Sequence, residues 1–217
     1  MSKLLERIAT GETLLSDGAT GTYLQYHGLE PGGCPEHLNA EQPELVRQMA
    51  ADYFATSCDM VETNSFGGSR YMLKKYGYGD RVEQYNRLAA EQARAAAPDG
   101  KFVLGSIGPT GEFLEPTGVA TEEEMYSAFC EQARSLAAGG VDGFCVETMS
   151  DVGEISLAIK AAKETTGLPV VATLTFDKGP RGYFTMMGVT PADGAMRLAE
   201  AGADIVGTTP TCHTSDP

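Results

Sequence analysis

Short apolar runs alternate with longer amphipathic segments along most of the chain. The apolar runs predict strands at residues 14–15, 59–64, 102–107, 141–147, 168–174 and 203–207. The segments between them predict helices over residues 43–57, 80–97, 121–138, 151–166 and 190–202. Because the runs are apolar at consecutive positions and alternate with helices, the pattern favours a parallel sheet that is covered by helices.

The connections between the predicted helices and strands resemble one another. Residues 138–143 and 201–204 share an Ala-Gly-x-Asp type of joint, and residues 57–59 form a looser version. Repeated units of this kind favour a (β/α)8 barrel of the TIM type over a doubly wound sheet. A complete barrel needs eight units and about 250 residues, whereas this chain has six predicted strands in 217 residues. We therefore expect an incomplete α/β barrel, a single domain over residues 1–217 that stops after strand six, with a divergent tail over residues 209–217.

Composition and charge limit the kinds of binding partner and the cellular compartment that we expect for this protein. The formal net charge is −14, which argues against binding to phosphate backbones, so no nucleic-acid partner is expected. No apolar run approaches the roughly 18 residues of a membrane span, and the first residues lack a secretory signal. The five cysteines form no CxxC pair and are odd in number, which is typical of a reducing compartment. We expect a cytoplasmic protein with no membrane partner.

Polar residues follow the predicted strands at the end where parallel α/β folds bind ligands. Asp17 and the Gly-rich turn 18–22 follow the first strand, Asn64 follows the second, and Glu147 follows the fourth. A carboxylate at the mouth of a buried strand needs a cation or donors, and a ligand ammonium group would serve. Backbone N–H groups of a Gly-rich turn suit a carboxylate. These residues predict a site for the two charged ends of an amino acid.

Simpler interpretations of the same residues stay open at this point. In the simpler interpretation, the glycine turn is only a tight connection, Asp17 bonds only to nearby backbone, and Asn64 acts as a cap instead of a ligand-binding residue. Asp151 is better placed as a helix N-cap than as a ligand. His27, His37 and His213 show no metal-binding spacing, so the residues predict no metal ligand.

Five motifs in register resemble the homocysteine S-methyltransferase family. They are DGATGT at 17–22, ETNSFG at 62–67, GPTG at 108–111, ETMSD at 147–151 and LTFD at 174–177. The resemblance covers about residues 3–208. It is greatest to the homocysteine-binding barrel of cobalamin-dependent methionine synthase, and betaine–homocysteine methyltransferases share the pattern less closely.

The resemblance implies a barrel that binds homocysteine at its carboxyl end. Glu147 would hold the substrate amino group, and Asp17 matches the acidic residue of the first turn. The backbone amides of Gly18, Ala19 and Thr20 would hold the substrate carboxylate, and Asn64 would line the pocket. The implied reaction is methyl transfer to the homocysteine thiol, giving methionine.

The resemblance also implies a zinc ion that holds the substrate sulfur as a thiolate. Its ligands in the family are three cysteines, one in a Gly-x-Asn-Cys motif after strand six and an adjacent pair near the end of the barrel. Here Thr209 and Pro210 stand where Asn-Cys is expected, and Cys212 comes two positions late. No metal ligand is therefore assigned, although zinc is expected for the complete family domain. Cobalamin and methyltetrahydrofolate are implied only through domains outside this chain.

These observations predict a homocysteine S-methyltransferase that is inactive as this chain. Two alternatives of other classes stay open. One is a non-catalytic amino-acid-binding module that keeps the pocket. The other is a structural half-barrel that self-associates through its open edges, because unpaired edge strands favour association.

Overall fold

The computed structural model describes residues 2–210 as helices packed around a mainly parallel sheet. The strands are β1 (Met60–Glu62), β2 (Phe102–Ile107), β3 (Gly143–Met149), β4 (Val170–Gly179), β5 (Gly182–Phe184) and β6 (Ile205–Pro210). The α-helices are α1 (Lys3–Ala9), α2 (Thr20–Tyr26), α3 (Leu38–Glu41), α4 (Pro43–Ala55), α5 (Arg70–Lys75), α6 (Val82–Ala96), α7 (Glu122–Ala138), α8 (Val152–Thr166) and α9 (Pro191–Glu200). A short 3-10 helix, Pro35–His37, precedes α3.

The sheet has the order of an unfinished barrel. Strands β1, β2, β3, β4 and β6 are neighbours in that order and all run parallel. The short strand β5 pairs antiparallel with the end of β4. The expected incomplete α/β barrel is confirmed, and its register sets Glu62 beside Leu104 and Ser106 beside Cys145. The carboxyl ends of β1, β2 and β3 therefore meet at one edge.

Two apolar clusters cover the two faces of the sheet. The larger cluster joins the outer face to α6, α7 and α8, and it includes the fully buried Phe129, Phe144 and Ile155. The smaller cluster packs Leu4 of α1 against Phe102, Leu104 and Cys145. Since Phe102 begins β2, α1 covers the inner face near the amino-terminal ends of the strands. The carboxyl ends on the opposite side are left accessible.

Local sequence signals explain where the two long helices begin and end. Thr121 accepts a hydrogen bond from the backbone N–H of Glu124, whose side chain bonds back to Thr121, so the predicted start of α7 is confirmed and carries a capping box. Asp151 caps α8 by accepting a bond from Gly153 N at 2.7 Å. Gly167 ends α8 with a left-handed φ of 69°, which glycine adopts at little cost. The interpretation of Asp151 as an N-cap is also confirmed.

The structure corrects the beginning of the predicted barrel. Residues 14–15 are not a strand; instead the carbonyl of Leu15 accepts hydrogen bonds from Asp59 N and Met60 N beside β1. Two residues are too few for a ladder, and Leu15 is 55% exposed, so burial does not hold it in a sheet. The predicted turn 17–22 is shorter than expected, because Thr20, Gly21 and Thr22 already belong to α2, a helix that the pattern did not predict.

Other short elements also went unpredicted. They are α1, α3, α5 and the hairpin that β5 forms with β4, which continues to Gly179 beyond the predicted end at residue 174. Thr209 and Pro210, the first residues of the expected divergent tail, belong to β6. Cys212 and His213 lie outside the described residues. None of the helices within residues 2–210 combines the length and apolar character that a membrane span requires.

Candidate functional site

A cavity of about 390 Å³ opens at the carboxyl ends of β1, β2 and β3. Its walls include residues 18–21 at the start of α2, the segment 62–67 at the end of β1, Glu36, Ser106 of β2 and Glu147 of β3. The predicted site residues Gly18, Ala19, Thr20, Asn64 and Glu147 all line it, which brings together parts of the chain that are far apart in sequence. Asp17 lies directly behind the wall, bonded to β1.

Besides Glu36, the carboxyl groups of Asp17, Glu62 and Glu147 converge at this cavity. Glu147 Oε1 accepts a hydrogen bond of 2.6 Å from the hydroxyl of Ser106. Asp17 Oδ2 accepts one of 3.0 Å from the backbone N–H of Glu62. The carboxyl group of Glu62 neighbours the carboxyl group of Glu147 and the thiol of Cys145. Among residues 2–210, none of the ion pairs involves Asp17, Glu62 or Glu147.

The pKa values of this cluster reflect burial without a cation. Burial raises the pKa of Asp17 to about 6, and the charge of Glu147 adds to the effect. Burial, then the neighbouring Glu147, holds the pKa of Glu62 well above its ordinary range. Burial, and then the neighbouring acidic groups Glu62 and Glu147, likewise raise the pKa of the Cys145 thiol well above its usual value. Each effect disfavours further negative charge, so the cavity is suited to a positively charged group.

The turn before α2 is shaped by a close contact with α4. A Cβ atom on Gly18 would lie 3.2 Å from the Tyr53 ring, so little room exists for a side chain. The hydroxyl of Tyr53 donates to the Ala19 carbonyl at 3.3 Å. Ala19 is the N-cap of α2 and makes no side-chain capping bond, so the first amides of α2 lack the partner that a Ser or Asp cap would give. Residues 18–21 can therefore offer backbone N–H groups to a ligand.

Asn64 has a structural task besides lining the cavity. Its side-chain nitrogen donates to the Pro35 carbonyl at 2.8 Å and to Asn39 Oδ1 at 2.9 Å. Asn39 in turn donates to the Asn64 carbonyl at 2.9 Å. This reciprocal pair fixes the segment after β1 against α3. The side-chain nitrogen of Asn64 is thus already used within the protein.

Several polar residues of the cavity were not assigned from the sequence, among them Glu36, Glu62 and Ser106. Glu36 is buried, accepts the Gly67 N–H at 2.7 Å, and receives a 3.4 Å bond from the Cys34 thiol. Burial raises its pKa. Glu36 lies in a Pro- and Gly-rich segment without periodicity, so no pattern pointed to it. For Glu62 a signal existed, because it opens the ETNSFG motif.

The described residues do not fit the zinc ion that the resemblance implies. Within residues 2–210, no three His, Cys, Asp or Glu side chains are grouped to hold a metal ion. The four cysteines of this part are buried free thiols. Cys58 donates to the Ser16 carbonyl at 3.3 Å, and the surroundings of Cys145 oppose thiolate formation. Cys212 lies beyond the residues that the structure describes.

Comparison with known proteins shows the family and the fold. A family model described as homocysteine S-methyltransferase matches residues 14–214. Betaine–homocysteine S-methyltransferase 1 of Danio rerio is 33% identical over 214 residues, which are 97% of this chain and 51% of the relative. Methionine synthase of Mycobacterium tuberculosis is 31% identical over 189 residues, covering 78% of this chain and 16% of the relative. The chain thus spans about half the length of the first of these relatives and much less of the second.

A solved structure has the same architecture. The metallated form of the homocysteine methyltransferase MmuM from Escherichia coli superposes with a TM-score of 0.78 at 20% identity, over 94% of this chain and 77% of that chain. At this identity the match supports the fold. The sequence identities of 33% and 31% to the two kinds of relative are nearly equal. A particular likeness to the methionine synthase barrel therefore stays a prediction.

Proposed function

Because the chain belongs to the homocysteine S-methyltransferase family, we propose that its cavity binds homocysteine for methyl transfer to the substrate sulfur. One observation carries the proposal: carboxyl groups without a cationic partner face the same cavity as the turn 18–21. The carboxyl groups would receive the ammonium group of an amino acid, and the backbone N–H groups of residues 18–21 would receive its carboxylate. An amino-acid zwitterion complements both, whereas a simple amine or a simple acid complements only one.

Each site residue has a distinct role in this proposal. Glu147, oriented by Ser106, receives the ammonium group. Asp17 adds negative charge behind it and fixes the turn through the backbone of Glu62. The amides of residues 18–20 receive the substrate carboxylate. Asn64 shapes the wall and is not needed as a direct donor.

The same electrostatics limit what these residues do to the sulfur. An ordinary thiol has a pKa of about 8.5, and nearby carboxylates raise it. Thiolate formation therefore needs a positive charge, and the described lining of the cavity contains no Lys or Arg. We assign to residues 2–210 the binding of the amino acid and not the activation of its thiol.

Titration calorimetry with L-homocysteine tests the assignment. The whole chain is expected to bind it, and Glu147→Gln to bind about tenfold to a hundredfold more weakly, since a hydrogen bond to a charged group contributes about 1.5–3 kcal/mol. Glu123→Gln is the matched control, because Glu123 is exposed on α7, and its affinity should equal that of the wild type. N-acetylhomocysteine, which lacks the ammonium group, should not bind. Equal affinities of wild type and Glu147→Gln would contradict the proposal.

Further expectations from the sequence stay predictions. They are lack of turnover by the isolated chain, self-association through the edges of the sheet, and a cytoplasmic location. A methionine-formation assay with added zinc and a methyl donor tests the first. Analytical ultracentrifugation tests the second, and localisation of a tagged chain tests the third. Cobalamin and methyltetrahydrofolate are expected only with domains outside this chain.

A further inference from the structure

Two acidic side chains are neighbours inside the cavity. Glu62 and Glu147 both line it and influence each other's charge, although they come from β1 and β3, on either side of β2. An ionised carboxylate only accepts hydrogen bonds. A hydrogen bond between two carboxyl groups therefore requires that one of them keeps its proton.

No neighbouring cation relieves this requirement. The titratable groups that face Glu62 are Asp17, Cys145 and Glu147, all acidic or neutral. No salt bridge of residues 2–210 includes any of them. Two neighbouring carboxylates cannot both stay ionised at low cost without a cation between them. The pair therefore carries one negative charge rather than two.

The surrounding donors indicate which member carries the charge. Glu147 already accepts a short bond from the Ser106 hydroxyl, and a second donor would complete a stabilised carboxylate. Glu62 instead lies between Glu147 and Asp17, whose Oδ2 is bonded to the backbone N–H of Glu62 itself. A protonated Glu62 can therefore donate to Glu147, and the neighbouring Cys145 thiol can donate to Glu62.

We propose that Glu62 is a positioning residue that stays a neutral acid and donates a hydrogen bond to Glu147, holding that carboxylate towards the substrate ammonium group. This inference rests on the proposed binding of homocysteine and adds a residue and a protonation state to it. Ser106 and Glu62 together fix both sides of Glu147. Glu62 itself does not receive the substrate.

A pair of variants tests the donor role. Glu62→Ala removes one donor to a charged group and should weaken homocysteine binding about tenfold. Glu62→Gln keeps an N–H donor of similar shape, and it should bind homocysteine about fivefold more tightly than Glu62→Ala. Circular dichroism and thermal melts establish that both variants are folded. If Glu62→Gln binds as weakly as Glu62→Ala, the inference is wrong.

Proton exchange during binding gives a readout that a merely structural role would not change. Calorimetry in two buffers of different ionisation enthalpy measures the protons released near neutral pH. If Glu62 keeps its proton, the wild type and Glu62→Gln release the same number. Release of about one additional proton by the wild type would show that the ammonium group displaces the proton of Glu62, and would overturn the inference.

A ligand-free measurement separates this inference from the proposed function. In protein labelled with 13C at the glutamate side-chain carboxyl, Glu62 should give a protonated-acid signal near neutral pH that is lost in Glu62→Gln. Absence of such a signal would overturn the inference whether or not homocysteine binds. A wild type that shows the signal but binds no homocysteine would contradict the proposed function alone, leaving the shared proton established.

Discussion

Two aspartates near β1 should give the stability of this protein opposite dependences on pH. Burial raises the pKa of Asp17 to about 6. Asp59 accepts hydrogen bonds from Leu15 N at 3.1 Å and Lys101 Nζ at 3.0 Å, and these partners lower its pKa to about 2. The ordinary value of both groups is 3.8. Their replacement by asparagine therefore makes a matched comparison.

The direction in which Asp17 changes the stability with pH follows from the number of protons bound in the folded and unfolded states. Its folded-state pKa exceeds the unfolded value, so the folded protein binds more protons than the unfolded chain between about pH 4 and 6. Stability therefore falls as pH rises through this range. The rise in the pKa of Asp17 from 3.8 to about 6 corresponds to a loss of at most about 3 kcal/mol of folding stability at neutral pH. Asp17→Asn resembles the protonated form, so it should match the wild type near pH 4 and exceed its stability by up to about 3 kcal/mol near pH 7.

Urea unfolding of the whole chain, followed by circular dichroism at intervals from pH 4 to 8, measures this difference directly. The control, Asp59→Asn, should behave in the opposite way, because a lowered pKa stabilises the folded state above the unfolded value. It should be less stable than the wild type at neutral pH, and the deficit should shrink as pH falls from about 4 towards 2.

Parallel stability curves of the wild type and Asp17→Asn between pH 4 and 7 would refute the reasoning. So would a lower stability of Asp17→Asn at pH 7. That result would mean that the bonds from Glu62 N and Ser16 stabilise the ionised Asp17 more than its burial destabilises it. The cavity would then carry more negative charge than we infer.

Three further predictions concern packing and thiol chemistry. Gly68→Ala would place a Cβ 2.3 Å from Asn86 Oδ1, so it should lose about 1–3 kcal/mol of stability in thermal melts and weaken homocysteine binding. Gly21→Ala, where nothing lies within 4 Å, is its control and should keep the wild-type melting temperature. Phe129→Ala empties a fully buried position and should cost about 3–5 kcal/mol in urea unfolding. Cys145, buried with a raised thiol pKa, should react with a thiol reagent far more slowly in the native than in the unfolded chain, and equal rates would contradict its burial.

The long elements could be predicted because several local signals agree there. The capping box at Thr121 and Glu124 fixes the start of α7, and Gly167 fixes the end of α8. The continuous apolar run of β2 matches a strand that is buried on both faces. Each of these features depends on neighbours within a few residues, which is the range that a sequence pattern reports.

The short elements could not be predicted because distant contacts hold them. Leu15 has no strand of its own, and its carbonyl is paired only through Asp59 and Met60. The helix α1 is stabilised by burial of Leu4 against strands that come about 100 residues later. Gly182, with a φ of 113°, turns the chain into β5, yet it is one of 26 glycines in the sequence.

The candidate site was predicted in part for a similar reason. Asp17, Asn64 and Glu147 were found because each follows an apolar run, and strand ends meet at one edge of a parallel sheet. The proximity of Glu62 and Glu147 could not be predicted, because they come from β1 and β3 with β2 between them. Strands separated in this way lie about 10 Å apart in a flat sheet. Only the folded structure shows that Glu62, Ser106 and Glu147 line one cavity.

The charge arrangement of the cavity separates the two parts of the proposed reaction. Binding of the ammonium group needs negative charge, and Glu147 with Asp17 supplies it. The sulfur must become a thiolate, which the same charges oppose. One region cannot stabilise both the ammonium group and the thiolate, so the sulfur has to lie away from these carboxyl groups. It also needs a nearby positive charge, which residues 2–210 do not place in the cavity. A neutral Glu62 reduces this conflict, because it orients Glu147 without adding a further negative charge near the substrate.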